Sequence, residues 1–417
     1  MQTSFFKRLL QTTLKSHRLS SKPQSYSSAF KFLASGLGAT GLGSTFYHYI
    51  DVKNFSNKNK FTEMDQDQNQ VFRDLVKGTV YGALCGDSIG SFLEFEEYVS
   101  EAQAKKALTM PGGGPFDLGS GQVTDDGELA LCLGHGLVEG KGKFDAELIA
   151  QQYQKWIKSQ PFDVGMTIGT AFQNGLSQST GLAKAYRKSS LQSAKSQSNG
   201  ALMRISPLCI WTAKLNKEDL KRCVREDTRL THPNQAAIDV SIAYVYAIQH
   251  LLNNKGDSEG AYKKAFEMIK ELGNTEVEGW LKELEDGKLP PANQMIGWVK
   301  IAFLNSLHFL KQRKGYADAM IEMLQGAGDT DTNCCIVGAM LGALHGFDAI
   351  PKHMTEAVRS FDPVKHGGIR RPDFLLAAKN VDNIIDGILA NLPKETTEVL
   401  NGETEEEKAE NKKGWFW

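Results

Sequence analysis

From Val71 onward, apolar side chains return at every third or fourth position in stretches several turns long, and short glycine-containing loops separate the stretches. That period belongs to helices that bury one face. It predicts helices over Val71–Leu84, Gly127–Leu137, Ala146–Lys158, Pro233–Leu252, Glu259–Leu272, Gln294–Lys311, Thr332–His345 and Phe374–Leu392. No convincing run alternates apolar and polar residues with the two-residue period of a strand. The body, residues 71–392, therefore reads as a single all-α domain. Glycines stand inside several of these helices, at Gly82, Gly134, Gly338 and Gly342. Each would cost about 1 kcal/mol against alanine if merely exposed, so close contact between helices is their better use.

The flanks follow other rules. Residues 51–70 are polar without an apolar period and read as a linker. In residues 1–50, Lys7, Arg8, Lys15, Arg18, Lys22 and Lys31 stand among serines, and no acid precedes Asp51. Phe6, Leu9, Leu10 and Leu14 would share one helical face, which is the chemistry of a mitochondrial targeting segment. The expected location is the matrix, or association with the inner membrane. Phe32 to Tyr49 is apolar and free of acids, but it is glycine-rich and close to the roughly 18 to 20 residues needed to span a bilayer. Residues 393–417 form a charged tail that ends in Gly414-Trp415-Phe416-Trp417. Those aromatics either dock on the body or on a protein partner, or form a short apolar end without a role.

Bulk chemistry narrows the classes. The formal net charge is −1, and no basic stripe interleaved with aromatics is present, which argues against a nucleic-acid partner. The six cysteines make no C-x-x-C pair and mostly sit among apolar residues, as reduced core residues do. That usage argues against a secreted, disulfide-built protein.

Two segments combine oxygen ligands with helix starts. One is Val123-Thr124-Asp125-Asp126-Gly127-Glu128, and the other is Gly328-Asp329-Thr330-Asp331-Thr332-Asn333. Helix capping accounts for one acid per helix, with Asp125 and Glu128 as a capping box and Asp331 or Thr332 as the second cap. It leaves unexplained why Asp125 adjoins Asp126 and why Asp329 and Asp331 lie one residue apart. Like charges packed so closely favour a cation, and hard oxygen donors suit Mg²⁺ or Mn²⁺. A third segment, from Gly82 to Phe95, reads as a helix ending on glycine and a close-packed turn that delivers Glu94 among apolar neighbours. Such a carboxyl suits general acid–base work or a metal shell.

Taken in order, GDSIGSFLEF, TDDGELALCLG, SNGALMRISPL, LTHPN and GAGDTDTNCCIVGAMLGALHG resemble the ADP-ribosylglycohydrolase family, over roughly Val71 to Leu392. The resemblance implies a compact all-α fold with a cleft that holds two magnesium ions. It implies Thr124, Asp125, Asp126, Asp329, Asp331 and Thr332 as metal ligands, with Asp331 bridging, and Glu94 as the acid–base residue. Asn199 and Gly200 match the loop along the ribose and phosphate. His232 matches a cleft histidine, although a histidine in a T-H-P turn is more often a structural hydrogen-bonder. Phe162 to Thr167, with Asp163 and Gly165, matches a helix-start loop near the diphosphate. Where the family commonly continues T-D-D with threonine, this chain has Gly127. The implied activity is Mg²⁺-dependent hydrolysis of the bond between ADP-ribose and a protein side chain or related conjugate. Two other readings stay open: an inactive mitochondrial structural subunit that reuses this body, and a module that binds ADP-ribose without cleaving it.

Overall fold

The computed structural model describes residues 67–393. The expectations for residues 1–50, for the linker up to residue 66 and for the tail beyond 393 lie outside the described residues. Sixteen α-helices run through the described part. They are α1 (residues 67–90), α2 (Glu101–Ala107), α3 (Asp125–Glu139), α4 (Ala146–Lys158), α5 (Met166–Phe172), α6 (Leu182–Ser190), α7 (Ser206–Trp211) and α8 (Lys217–Thr228). The chain continues through α9 (Gln235–Asn253), α10 (Ser258–Leu272), α11 (Thr275–Glu285), α12 (Val299–Gln312), α13 (Tyr316–Gln325), α14 (Thr330–His345), α15 (Lys352–Ser360) and α16 (Ala377–Ala390). Among the described residues there is no strand, and extended pairing is limited to the isolated bridges Gly113–Leu118 and Ser198–Trp298. No helix among them is long and apolar enough to cross a membrane.

Three helices are buried on nearly every side and form the core: α3, α9 and α14. Around them α4, α16 and α7 pack on α3, while α10, α8 and α7 pack on α9, and α12 and α13 pack on α14. The core helix α9 and the outer helices α4, α8, α10 and α11 begin on ordinary polar caps, with the side chains of Asn234, Asp145, Asn216, Asp257 and Asn274 accepting first-turn N–H groups. All six cysteines are buried and free.

Helix α1 lies along α14 through a ladder of glycines. A methyl carbon added at Gly78, Gly82, Gly86 or Gly90 would stand 2.3, 2.2, 2.1 or 2.3 Å from the carbonyl oxygens of Gly342, Gly338, Cys334 and Thr330, respectively. The four rungs recur every fourth residue in opposite directions along the two chains, so the helices are antiparallel and touch backbone to backbone. Tyr316 donates its hydroxyl to the Gly82 carbonyl at 2.7 Å. The close-contact role expected of Gly82, Gly338 and Gly342 is the one they have.

Some boundaries differ from the pattern. Residues 67–70 are helical and exposed rather than linker, because an outer turn in water carries no apolar period. Residues 294–298 are not helix: Met295 and Gly297 take left-handed φ values of 52° and 81°, and α12 begins at Val299. Helix α1 passes through Gly86 and is followed by a 3₁₀ turn, Ser91–Leu93.

Candidate active site

The last rung of the ladder delivers Glu94. Gly90 abuts Thr330 and Asp331 so closely that no side chain fits between, and the Thr330 hydroxyl donates to the Gly90 carbonyl at 2.7 Å. Beyond the 3₁₀ turn, the Phe95 N–H donates to Gly328 O at 2.9 Å, and the Gly328 N–H returns a bond to Glu96 O at 3.0 Å. Glu94 is thereby fixed beside the Gly328–Asn333 turn, buried, with its Oε2 lacking any hydrogen-bond partner. The Thr124–Asp126 turn arrives from the start of α3. The Thr332 hydroxyl reaches Asp126 Oδ2 at 3.3 Å, and the Thr124 hydroxyl lies at the same distance from that oxygen. The two acidic turns, some two hundred residues apart in sequence, therefore meet.

Capping consumes only part of this set, with Asp331 Oδ1 accepting the first-turn Thr332 N–H at 2.8 Å. The N-cap of α3 is Thr124, whose hydroxyl accepts the Asp126 N–H at 3.4 Å, and Glu128 turns instead to Arg371 and Trp156. At α14 the N-cap, Asp329, makes no side-chain capping bond. What remains is a set of buried carboxylates with little compensation. Burial, then the charges of Asp163 and Asp329, push Glu94 up to about 8, against a hydrogen bond with Asp331. Burial raises Asp125 and Asp126 well above the carboxylate range, helped by Asp163 for the first and by Asp125 for the second. Asp331 is raised by burial and then by Glu94, and Asp329 by burial, with the Asn199 amide opposing. Such a group cannot all be ionised without a counter-charge.

The residues fit a divalent metal by donor chemistry: carboxylate and threonine oxygens suit Mg²⁺ or Mn²⁺, and the buried Oε2 of Glu94 and Oδ1 of Asp126 are unpartnered. Among the described residues, no three acid, histidine or cysteine side chains already stand in a ligand shell. Hydroxyl and water oxygens would have to complete one.

Asp87 is the member that the sequence pattern passed over. It is fully buried, and its carboxylate accepts the Thr124 N–H at 3.0 Å, the Thr124 hydroxyl at 2.9 Å and the Gly127 N–H at 2.9 Å. Burial lifts it to about 7 while those donors pull it down. It holds the Thr124–Asp126 turn in shape. A signal was available, since an aspartate within an apolar helix needs partners. Gly127 belongs to the same arrangement, because a methyl carbon there would lie 2.6 Å from Val123 Cβ and 2.7 Å from Asp87 Oδ2.

The remaining predicted residues divide. Asn199 joins the cluster through Nδ2, which donates to Asp329 Oδ2 at 2.6 Å. Gly200 lies over His232, where a methyl carbon would come within 3.0 Å of the ring. His232 is fully buried, with Nδ1 at 2.8 Å from the Thr231 hydroxyl and Nε2 at 3.0 Å from the Ser198 hydroxyl. Burial and then Arg204 lower its pKa to about 3. It underpins the 198–200 loop instead of lining a surface. Asp163, expected beside a diphosphate, lies close enough to Asp125 and Glu94 for its charge to raise both carboxyls. Gly165 is the exposed N-cap of α5, a helix of only seven residues.

Five loops close around the acids. The Phe95 and Phe116 rings are 6.4 Å apart and Phe116 and Phe162 5.4 Å, Ser198 donates to the Thr167 hydroxyl at 3.1 Å, the Asn199 N–H donates to Gly297 O at 2.9 Å, and Asn293 donates to Glu97 O at 3.2 Å. Beside Thr167 opens a cavity of about 470 Å³ lined by Met166, Leu191, Ser193, Ala194 and Ser196.

Known proteins resemble this chain over most of its length. A protein of Acanthamoeba polyphaga mimivirus named as an ADP-ribosyl glycohydrolase is 30% identical over 319 residues, covering 70% of this chain and 92% of its own. The ADP-ribosyl-[dinitrogen reductase] glycohydrolase of Rhodospirillum rubrum is 27% identical, covering 74% and 98%. A solved structure titled ADP-ribosylglycohydrolase-related protein complex superposes with a TM-score of 0.56 at 21% identity, over 74% of this chain and 98% of that one, which speaks to the fold. Residues 68–385 match the family model described as ADP-ribosylglycohydrolase, and the chain accordingly belongs to that family of glycosyl-bond hydrolases.

Proposed function

We propose that the chain releases ADP-ribose from a protein side chain or a related conjugate in a Mg²⁺-dependent reaction at the carboxylate cluster. The observation that carries this reading is the meeting of the Thr124–Asp126 and Asp329–Thr332 turns beside Glu94, with unpartnered oxygens on Glu94 and Asp126. Thr124, Asp125, Asp126, Asp329, Asp331 and Thr332 would hold two ions, which when bound supply Lewis-acid orientation of the ribose hydroxyls and a polarised water. Glu94 stands at the end of a backbone-locked turn, where its carboxyl is placed to exchange a proton with the leaving atom or the attacking water. Asn199, bonded to Asp329, fixes the loop that flanks the ribose. The cavity beside Thr167 is proposed to take the nucleoside end of the same molecule, with apolar Met166 and Leu191 against the base.

The test is incubation of the purified protein with ADP-ribosylated arginine, serine and acetyl-ester conjugates, with Mg²⁺ and with chelator. Release of ADP-ribose in Mg²⁺ alone is expected. Asp125→Ala and Asp331→Ala should each abolish it while the far-ultraviolet circular dichroism stays helical. Full hydrolysis by either variant would sink the reading.

A further inference from the structure

Arg371 lies outside every motif above, yet it ties the first turn of α3 to the segment that follows α4. Its Nε donates to Glu128 Oε1 at 2.7 Å and one Nη to Glu128 Oε2 at 2.9 Å, a fork across 243 residues of chain. That second nitrogen also donates to the Ser159 hydroxyl at 2.7 Å, and the other Nη donates to the carbonyls of Ser159 and Gln160 at 3.1 and 3.2 Å. All five N–H bonds of the guanidinium are therefore used, which lysine cannot reproduce. The pair is buried, and the Trp156 indole donates to Glu128 Oε2 at 2.8 Å.

The two ends of this bond set are the two ends of the site. Glu128 is in the first turn of α3, two residues after Asp126. Ser159 and Gln160 open the segment that runs through Phe162 to Asp163, whose carboxylate stands near enough to Asp125 to act on it by charge. Gln160 is held at a left-handed φ of 55°, a conformation that persists only where the surroundings over-determine it. The guanidinium also sits 6.0 Å from the Phe162 ring centroid.

We infer that Arg371 is a positioning residue that sets the Asp163 loop against the Asp125–Asp126 turn. The inference rests on reading the carboxylate cluster as a hydrolytic site. The experiment compares the full-length wild type with Arg371→Lys and with the paired change Glu128→Gln and Arg371→Met, which leaves no buried charge unmatched. Each is made with and without Asp163→Asn. Amide hydrogen exchange is followed together with kcat and KM on an ADP-ribosylated protein in Mg²⁺. Expected for the paired change is at least tenfold faster exchange across residues 159–165 with α3 unaltered, a roughly tenfold fall in kcat, and KM within twofold. Adding Asp163→Asn should then lower kcat no further. Unchanged exchange in 159–165, or kcat losses that multiply, would overturn the assignment. Should the paired variant not fold, Arg371→Lys carries the same expectations. A wild type that releases nothing from any conjugate refutes the functional reading alone, because the exchange measurement still decides the positioning.

Discussion

Asp87 shows how much a candidate site can owe to a residue whose bonds all go to the protein's own turn. Its carboxylate satisfies two backbone N–H groups and a hydroxyl at the start of α3. Asp87→Asn keeps the shape but presents an amide to donors, so at least one buried N–H loses its acceptor. The expected result is a loss of about 1–3 kcal/mol in urea unfolding, with turnover reduced at least tenfold because Thr124 and Asp126 shift. Wild-type turnover in a folded Asp87→Asn protein would show that the turn keeps itself. At this scale the sequence was informative where acids crowd one another, as at Asp125–Asp126 and Asp329–Asp331. It was silent at Arg371, and at Asp87 it offered only an aspartate within an apolar helix, because the partners of both are distant in sequence. For Asp163 and His232 it found the neighbourhood, but only tertiary structure shows which way each side chain faces and whether water reaches it.

Helices were legible wherever one face is buried and the ends carry a polar cap. Ala146–Lys158 was read to the residue, since Asp145 caps it and its apolar face is continuous. The 294–298 segment misled because its apolar residues imitate a helical period while Met295 and Gly297 turn left-handed. Glycines separate two kinds of helix position, and substitution distinguishes them. Gly82→Ala would force a methyl carbon to 2.2 Å from a carbonyl oxygen of α14, where no side chain can yield. A loss of about 3 kcal/mol or more is expected in denaturant unfolding. Gly279→Ala, in α11 with nothing within 4 Å, should instead gain about 0.5–1 kcal/mol. Equal effects at the two positions would contradict the ladder.

At the scale of the molecule, burying so many carboxylates in one cluster costs stability unless a counter-charge joins them. Ions that bind only the folded chain stabilise it by about 2.7 kcal/mol at a concentration a hundred times their Kd. Melting in Mg²⁺ should therefore exceed melting in chelator by a few degrees, and the difference should vanish in a protein carrying Asp125→Ala and Asp331→Ala together. No difference in the wild type would argue that the acids stay protonated and ion-free. The glycine ladder bears on how this chemistry can be inherited. Because its rungs are main-chain atoms, the offset between α1 and α14 is stepped: sliding by one rung, four residues, moves Glu94 about 6 Å relative to Asp331. Half-steps collide. The reacting groups thus keep their spacing whichever apolar side chains fill the remaining interior, which leaves the core free to drift in composition while the chemistry stays tuned.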